Sequence, residues 1–271
     1  IYRGLVGSEM CIRDSPDAYV LYFDTESAIS KSLLEAHGVD TSRLVVINVV
    51  TIEEFRSKAL KAVDKYIKMP ESSRKPCMFV LDSLGMLSTE KEINDALNDK
   101  QVRDMTKSQL VKGAFRMLTL KLGQANIPLI VTNHTYDVIG SYVPTKEMGG
   151  GSGLKYASST IIYLSKKKEK DKTEVVGNII KAKTAKSRLS KENQQVEIRL
   201  YYDERGLDRY YGLLDLGELG GMWKNVAGRY EIDGKKIYAK QIYSEPEKYF
   251  TPEVLEKLDQ ISKDTFSYGT N

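Results

Sequence analysis

Short apolar runs alternate with amphipathic stretches through the first half of the chain. Ala18–Phe23 (AYVLYF) is rich in β-formers and stops at Asp24, the pattern of a buried strand. Ser27–Ala36 has helical character and is ended by Gly38. Leu44–Val50 predicts a second buried strand. Thr51–Lys68 predicts an amphipathic helix, opened by Thr51 and Glu54 at capping-box spacing. After a break at Pro76, Cys77–Leu81 predicts a third strand that stops at Asp82. The stretch 90–107 is polar without clear periodicity, whereas Ser108–Gln124 carries apolar residues at 110, 111, 114, 115, 118 and 122, a helical stripe. Ile127–Thr132 predicts a fourth strand, halted at Asn133-His134, and Tyr136–Gly153 is glycine-rich and irregular.

Strands alternating with helices imply βαβ units and an α/β fold with a mostly parallel sheet flanked by helices. Three further strands are expected at Thr160–Leu164, Val175–Ala182 and Val196–Tyr202, the first two separated by a charged turn. The pattern then changes. A short helix begins at Gly212–Leu216, an Asp233-Gly234 hairpin signal lies within Tyr230–Tyr238, and Thr251-Pro252 starts a final helix with an N-cap and proline at its first position. This gives a core over 16–204 and a small C-terminal α+β subdomain over 205–271.

Ile1–Ser15 (IYRGLVGSEMCIRDS) fits neither period, and Arg3, Glu9, Arg13 and Asp14 exclude a signal peptide. It resembles translated sequencing-adapter text at the end of a gene fragment. It is therefore set aside as non-native, with the expectation that coding sequence upstream is missing. That leaves Cys77 as the one genuine thiol, so a disulfide framework is excluded and a reducing cytoplasm is expected. No apolar run approaches the ~18 residues of a membrane span. The net charge of +4 is mild. From Lys166 to Glu192, however, ten basic residues face four acidic ones, either a patch for phosphates or a solvated charged hairpin.

In open α/β sheets ligands bind beyond the carboxyl ends of the strands. Three of the predicted strands end in polar groups: Asp24-Thr25-Glu26, Asp82-Ser83 and Asn133-His134. Each end taken singly also fits a helix N-cap or a structural histidine. Together they fit nucleotide hydrolysis. Four apolar residues before Asp82 form the Walker B pattern, whose aspartate holds the Mg²⁺ shell. Glu26 has the chemistry to deprotonate an attacking water, and His134 to touch a γ-phosphate. No G-x-x-x-x-G-K-[ST] segment occurs, because Gly149–Lys155 lacks the Gly-Lys-Ser/Thr ending.

The segments FDTES (23–27), FVLDSLGML (79–87), IVTNHTYDVIGSYVPTKEMGGGSGLKYASSTI (130–161) and YGLLDLGELGG (211–221) resemble the RecA family of DNA recombinases, nearest its phage UvsX-like branch. The resemblance covers about 18–222 and is most specific from Asn133 to the MGGGSG turn. It implies a RecA-type P-loop ATPase core, here lacking Walker A, that uses ATP and Mg²⁺. It also implies a homo-oligomeric helical filament on single-stranded DNA that pairs with double-stranded DNA. Recombination mediators and single-strand-binding proteins are implied as further partners, in the cytoplasm of a bacterial host, with no membrane. Glu26 matches the catalytic glutamate and Asp82 the Walker B aspartate. Asp24, Ser83 and His134 fall at the positions that sense ATP and its γ-phosphate. Roughly 88–106 and 135–153 match the two DNA-binding loops, the second offering Tyr136, Tyr142, Lys146, Gly149, Gly150 and Gly151. The same loop also fits an ordinary flexible surface segment. Lys181 and Lys183, or Lys186 instead, fall near lysines that reach a neighbouring subunit's ATP. The alternatives are a RecA-fold hexameric helicase and a non-enzymatic ATPase-like binding module.

Overall fold

The computed structural model describes residues 17–27, 29–36, 39–100, 105–137, 146–203, 205–232 and 234–267. These group into two compact units that divide between Ala157 and Ser158.

The first unit is built on a four-stranded parallel sheet in the order β2-β1-β3-β4, with β1 at Tyr19–Asp24, β2 at Leu44–Asn48, β3 at Cys77–Asp82 and β4 at Leu129–Val131. All four pair in parallel, as the alternation of apolar runs and helices predicts. The central strands are apolar on both faces because both faces are covered. On one side Phe23, Phe55 and Phe79 meet edge to face, with centroids 5.0 and 5.6 Å apart. They anchor a core shared with helices α2 (Ile52–Lys68) and α4 (Lys107–Ala125). On the other side Val20, Tyr22 and Val80 pack with Leu34 of α1 (Lys31–Ala36).

In this unit the local signals mostly hold, with four corrections. β2, expected to be buried, is the edge strand of the sheet and leaves Val45 and Val46 exposed. Thr51 caps α2 by accepting from the Glu54 amide, but the Glu54 carboxylate bonds the Val50 amide, so the reciprocal half of the box is shifted by one residue. The first helix begins at Lys31 and not at Ser27, because 24–27 is bound up in a turn at the end of β1. The stretch 90–107 is not all irregular. Glu90–Leu97 forms α3, opened by a complete capping box between Thr89 and Glu92. A cap signal outweighs weak periodicity in so short a helix.

The second unit opens with an antiparallel sheet β7-β8-β9 of Thr160–Asp171, Glu174–Ser187 and Gln195–Tyr201. The expected charged turn is instead strand. Lys166–Asp171 pairs against 174–180, and only Lys172 and Thr173 turn, with Lys172 in the left-handed region. Exposed strands can be fully polar, so apolar patterning stops too early here. Beyond it, α6 (Leu213–Leu219), the small sheet β10-β11-β12 (Lys224–Val226, Arg229–Ile232, Lys235–Tyr238) and helices α7 (Ala239–Ser244), α8 (Pro246–Tyr249) and α9 (Pro252–Phe266) enclose a separate core. Its members include Leu214, Trp223, Tyr230, Ile242, Phe250 and Leu258. Thr251 caps α9 with Pro252 in its first turn, as the sequence indicates.

Phe23 is fully buried where the two ring contacts converge. Phe23→Ala is expected to lower unfolding free energy by about 3–5 kcal/mol, read as a shift of the urea midpoint at unchanged slope.

Candidate active site at the strand ends

The parallel register of β1 on β3 sets Asp24 beside Asp82, and that of β3 on β4 sets Leu81 beside Val131. The three strands therefore end level, and their polar residues meet. Asp24 is buried, and its Oδ1 accepts the amides of Glu26 (3.0 Å) and Ser27 (2.9 Å). Asp24 caps no helix; it builds the turn that presents Glu26. Thr25 ties that turn to β3. Its amide donates to the Asp82 carbonyl (2.9 Å) and its Oγ1 accepts from the Ser83 amide (2.7 Å). The Asp82–Ser83 peptide is cis.

Ser83 caps nothing with its side chain. Its hydroxyl donates to Glu26 Oε1 at 2.9 Å and lies 3.5 Å from His134 Nε2, which is 3.9 Å from the same Glu26 oxygen. A carboxylate, a hydroxyl and an imidazole thus stand in one chain. The Glu26 side chain is 35% exposed and that of His134 54%, so both reach open surface and neither is a satisfied core group. Gly85 makes the approach possible, since a Cβ there would lie 2.6 Å from His134 Cδ2.

Asp82 is held more tightly. Tyr22 Oη donates to its Oδ2 and Thr132 Oγ1 to its Oδ1, each at 2.5 Å. Burial first, and the bond to Asp82 second, push the Tyr22 phenol well above its ordinary pKa, so it remains a donor. Among the described residues no three His, Cys, Asp or Glu side chains group to hold a metal by themselves. One fixed carboxylate suits Mg²⁺, which keeps several waters and takes the rest of its ligands from phosphates.

The end of β4 is also bonded to the glycine-rich turn. Asn133 Nδ2 donates to the Gly149 carbonyl (2.8 Å), its Oδ1 accepts from the His134 amide (2.9 Å), and the Gly149 amide donates to the His134 carbonyl (3.2 Å). Strands β5 (Thr135–Asp137) and β6 (Lys146–Met148) pair antiparallel between them. Tyr136 is exposed on β5. Lys146 opens β6, Gly149 and Gly150 turn, and Gly151 starts α5 (Gly151–Ala157). Tyr142 lies outside the described residues.

Lys181, Lys183 and Lys186 belong to β8 of the second unit. Lys181 pairs with Ser165 and Lys183 with Tyr163, while a register shift lets Lys186 pair with Ile161. An odd spacing normally puts Lys183 and Lys186 on opposite faces; the bulge brings all three to one face. Lys181 lies 3.9 Å from Glu197 and Lys186 donates to the Ser158 carbonyl. Among the described residues no side-chain hydrogen bond or ion pair engages the Lys183 ammonium. The strand-end pattern included Thr25 without a role of its own and did not single out Tyr22, Gly85 or Thr132. For Tyr22 and Thr132 the available signal is a hydroxyl inside, or closing, an otherwise apolar run. A cleft of about 500 Å³ beside β1 and β2 is lined by Asp24 and Ser27 of this turn but not by Glu26, Asp82, Ser83 or His134, so those groups lie on the open strand ends and not within it.

A four-stranded parallel sheet flanked by helices, with its acidic, hydroxyl and imidazole groups gathered at the carboxyl edge, is an α/β core. The model of the RecA N-terminal domain matches residues 9–208, and the chain belongs to that family. The chain is 36% identical over 228 residues to the "Recombination and repair protein" of Enterobacteria phage T4, covering 84% of this chain and 56% of that protein. It is 27% identical over 218 residues to "Protein RecA" of Paracoccus denitrificans (80% and 58%) and 28% over 240 residues to that of Corynebacterium urealyticum (88% and 62%). The chain thus spans somewhat more than half the length of these curated relatives. No helix among the described residues is long and apolar enough to cross a membrane.

Gly85→Ala is expected to push the His134 ring away from Ser83. The His134 ring proton shifts should move in NMR spectra, while the unfolding free energy changes by less than about 1 kcal/mol because an exposed ring can yield.

Proposed function

We propose that this chain is the hydrolytic core of an ATP-dependent DNA recombinase, which forms filaments on single-stranded DNA and catalyses homologous pairing and strand exchange with a duplex. The observation that carries this is the Ser83 hydroxyl standing between Glu26 and His134, one residue from the clamped Asp82. Glu26 is the base that orients and deprotonates the attacking water. His134 contacts the γ-phosphate, and Ser83 links the two, so the charge on the phosphate is felt at the base. Asp82 holds Mg²⁺ through water, and the metal supplies neutralisation of phosphate charge when bound. Asp24 acts indirectly by setting the Glu26 turn. The bonds from Asn133 and His134 to Gly149 give the sensor a short covalent and hydrogen-bonded path to the 135–153 segment.

In that segment Tyr136 and Tyr142 stack on bases, Lys146 contacts phosphate, and Gly149, Gly150 and Gly151 let the backbone approach the strand. Lys183 is the lysine we assign to a neighbouring subunit's ATP, with Lys181 and Lys186 beside it. The T4 and RecA relatives favour recombinase over hexameric helicase. The partners are DNA, further copies of the chain, recombination mediators and single-strand-binding proteins, in the cytoplasm of a bacterial host. Residues 1–271 contain no G-x-x-x-x-G-K-[ST] segment, so by themselves they should bind ATP poorly.

In the full-length protein, Glu26→Gln should lower DNA-dependent ATP turnover by about 10²–10⁴ with nucleotide affinity retained; normal turnover would overturn the assignment. Lys183→Ala should reduce turnover only when filaments form on DNA, and an equal loss without DNA removes its role between subunits. Single-stranded DNA affinity should fall linearly with log salt concentration, and a flat titration argues against phosphate contacts.

A further inference from the structure

We infer that Tyr22 and Thr132 are positioning residues for the metal-side carboxylate: hydroxyls from the two strands flanking β3 fix Asp82 so that it meets a divalent cation through water. This rests on the nucleotide-hydrolysis reading of the same site. Tyr22 stands on β1 and Thr132 directly follows β4, so each neighbour of β3 sends one hydroxyl to one oxygen of the carboxylate.

Two bonds from opposite sides prevent the carboxylate from turning about its terminal torsion, which is otherwise a soft one. The nature of the donors matters as much as their number. An arginine or lysine would cancel the charge that attracts the cation, whereas neutral hydroxyls leave it in place. A carboxylate offers about four lone-pair positions. One is used on each oxygen, and the others remain for metal-bound water. Tyr22 is fully buried, so its bond to Asp82 is not exchanged for solvent. A purely apolar pair at these positions would leave Asp82 free to rotate toward the cation and strip its water.

The test uses the full-length protein with Tyr22→Phe, Thr132→Val and Thr132→Ser. Bound Mn²⁺ is followed by electron paramagnetic resonance in the ADP complex, and the Mg²⁺ dependence of fluorescent ADP binding is measured alongside. Tyr22→Phe and Thr132→Val should each weaken the metal's half-saturation about tenfold. ADP affinity in excess EDTA should stay unchanged, and Thr132→Ser should restore the wild-type value. Metal half-saturation within twofold of wild type in both variants, with folding confirmed by circular dichroism, overturns the inference. Should Tyr22→Phe fail to fold, the Thr132 pair decides alone. Asp82→Asn separates the two levels. If it leaves metal-dependent binding intact, the nucleotide reading itself fails. If it abolishes that binding while the hydroxyl variants do not, only this inference fails.

Discussion

The parallel register of β1, β3 and β4 is the constraint on which the site depends. It sets Asp24 beside Asp82 and ends the three strands level. Side chains alternate across a sheet with a period of two, so a slip of one residue would send each of them to the opposite face. The register is fixed in turn by burial on both faces. Phe23, Phe79 and Leu81 face α2 and α4, while Val20, Tyr22 and Val80 face α1. The cost of exposing either set brings the polar ends together, and the hydrogen bonds among them then set their arrangement.

Backbone groups do much of the fine positioning. Asp24 bonds two amides, Thr25 bonds β3 through both main chain and hydroxyl, and Asn133 bonds the Gly149 carbonyl. The exposed members, Glu26 and His134, are therefore carried on stiff supports while their own side chains remain free to respond to a ligand. The result is firm attachment beneath and polar tips at open surface. The MGGGSG turn sits within the same bonded set, so His134 and the start of α5 share a hydrogen-bonded path.

The second unit shows a different economy. Its long β7-β8 hairpin is highly charged and mostly exposed, and its order comes from backbone pairing over the whole length. The bulge near Ile161 and Lys186 re-aims one side chain and gathers three lysines on one face. The C-terminal elements bury their own aromatic cluster around Trp223 and Phe250, an independent reason for this region to hold its shape.

The sequence by itself determined the α/β alternation, the four parallel strands and the polar groups at their ends, because burial on two faces writes uninterrupted apolar runs that stop where solvent or ligand begins. The same text hid α3, whose order rests on a cap, and the length of β7 and β8, whose exposed strands need no apolar residues. Tertiary structure alone decided how the candidate residues divide the work. Asp24 turned inward to shape a turn, the buried Ser83 joined Glu26 to His134, and a bulge placed Lys186 with Lys181 and Lys183. It also revealed Tyr22 and Thr132, whose hydroxyls read as parts of apolar strands until the neighbouring strand brought Asp82 between them. Periodicity reports which face a residue occupies; only the pairing of strands distant in sequence reports which partner it finds there.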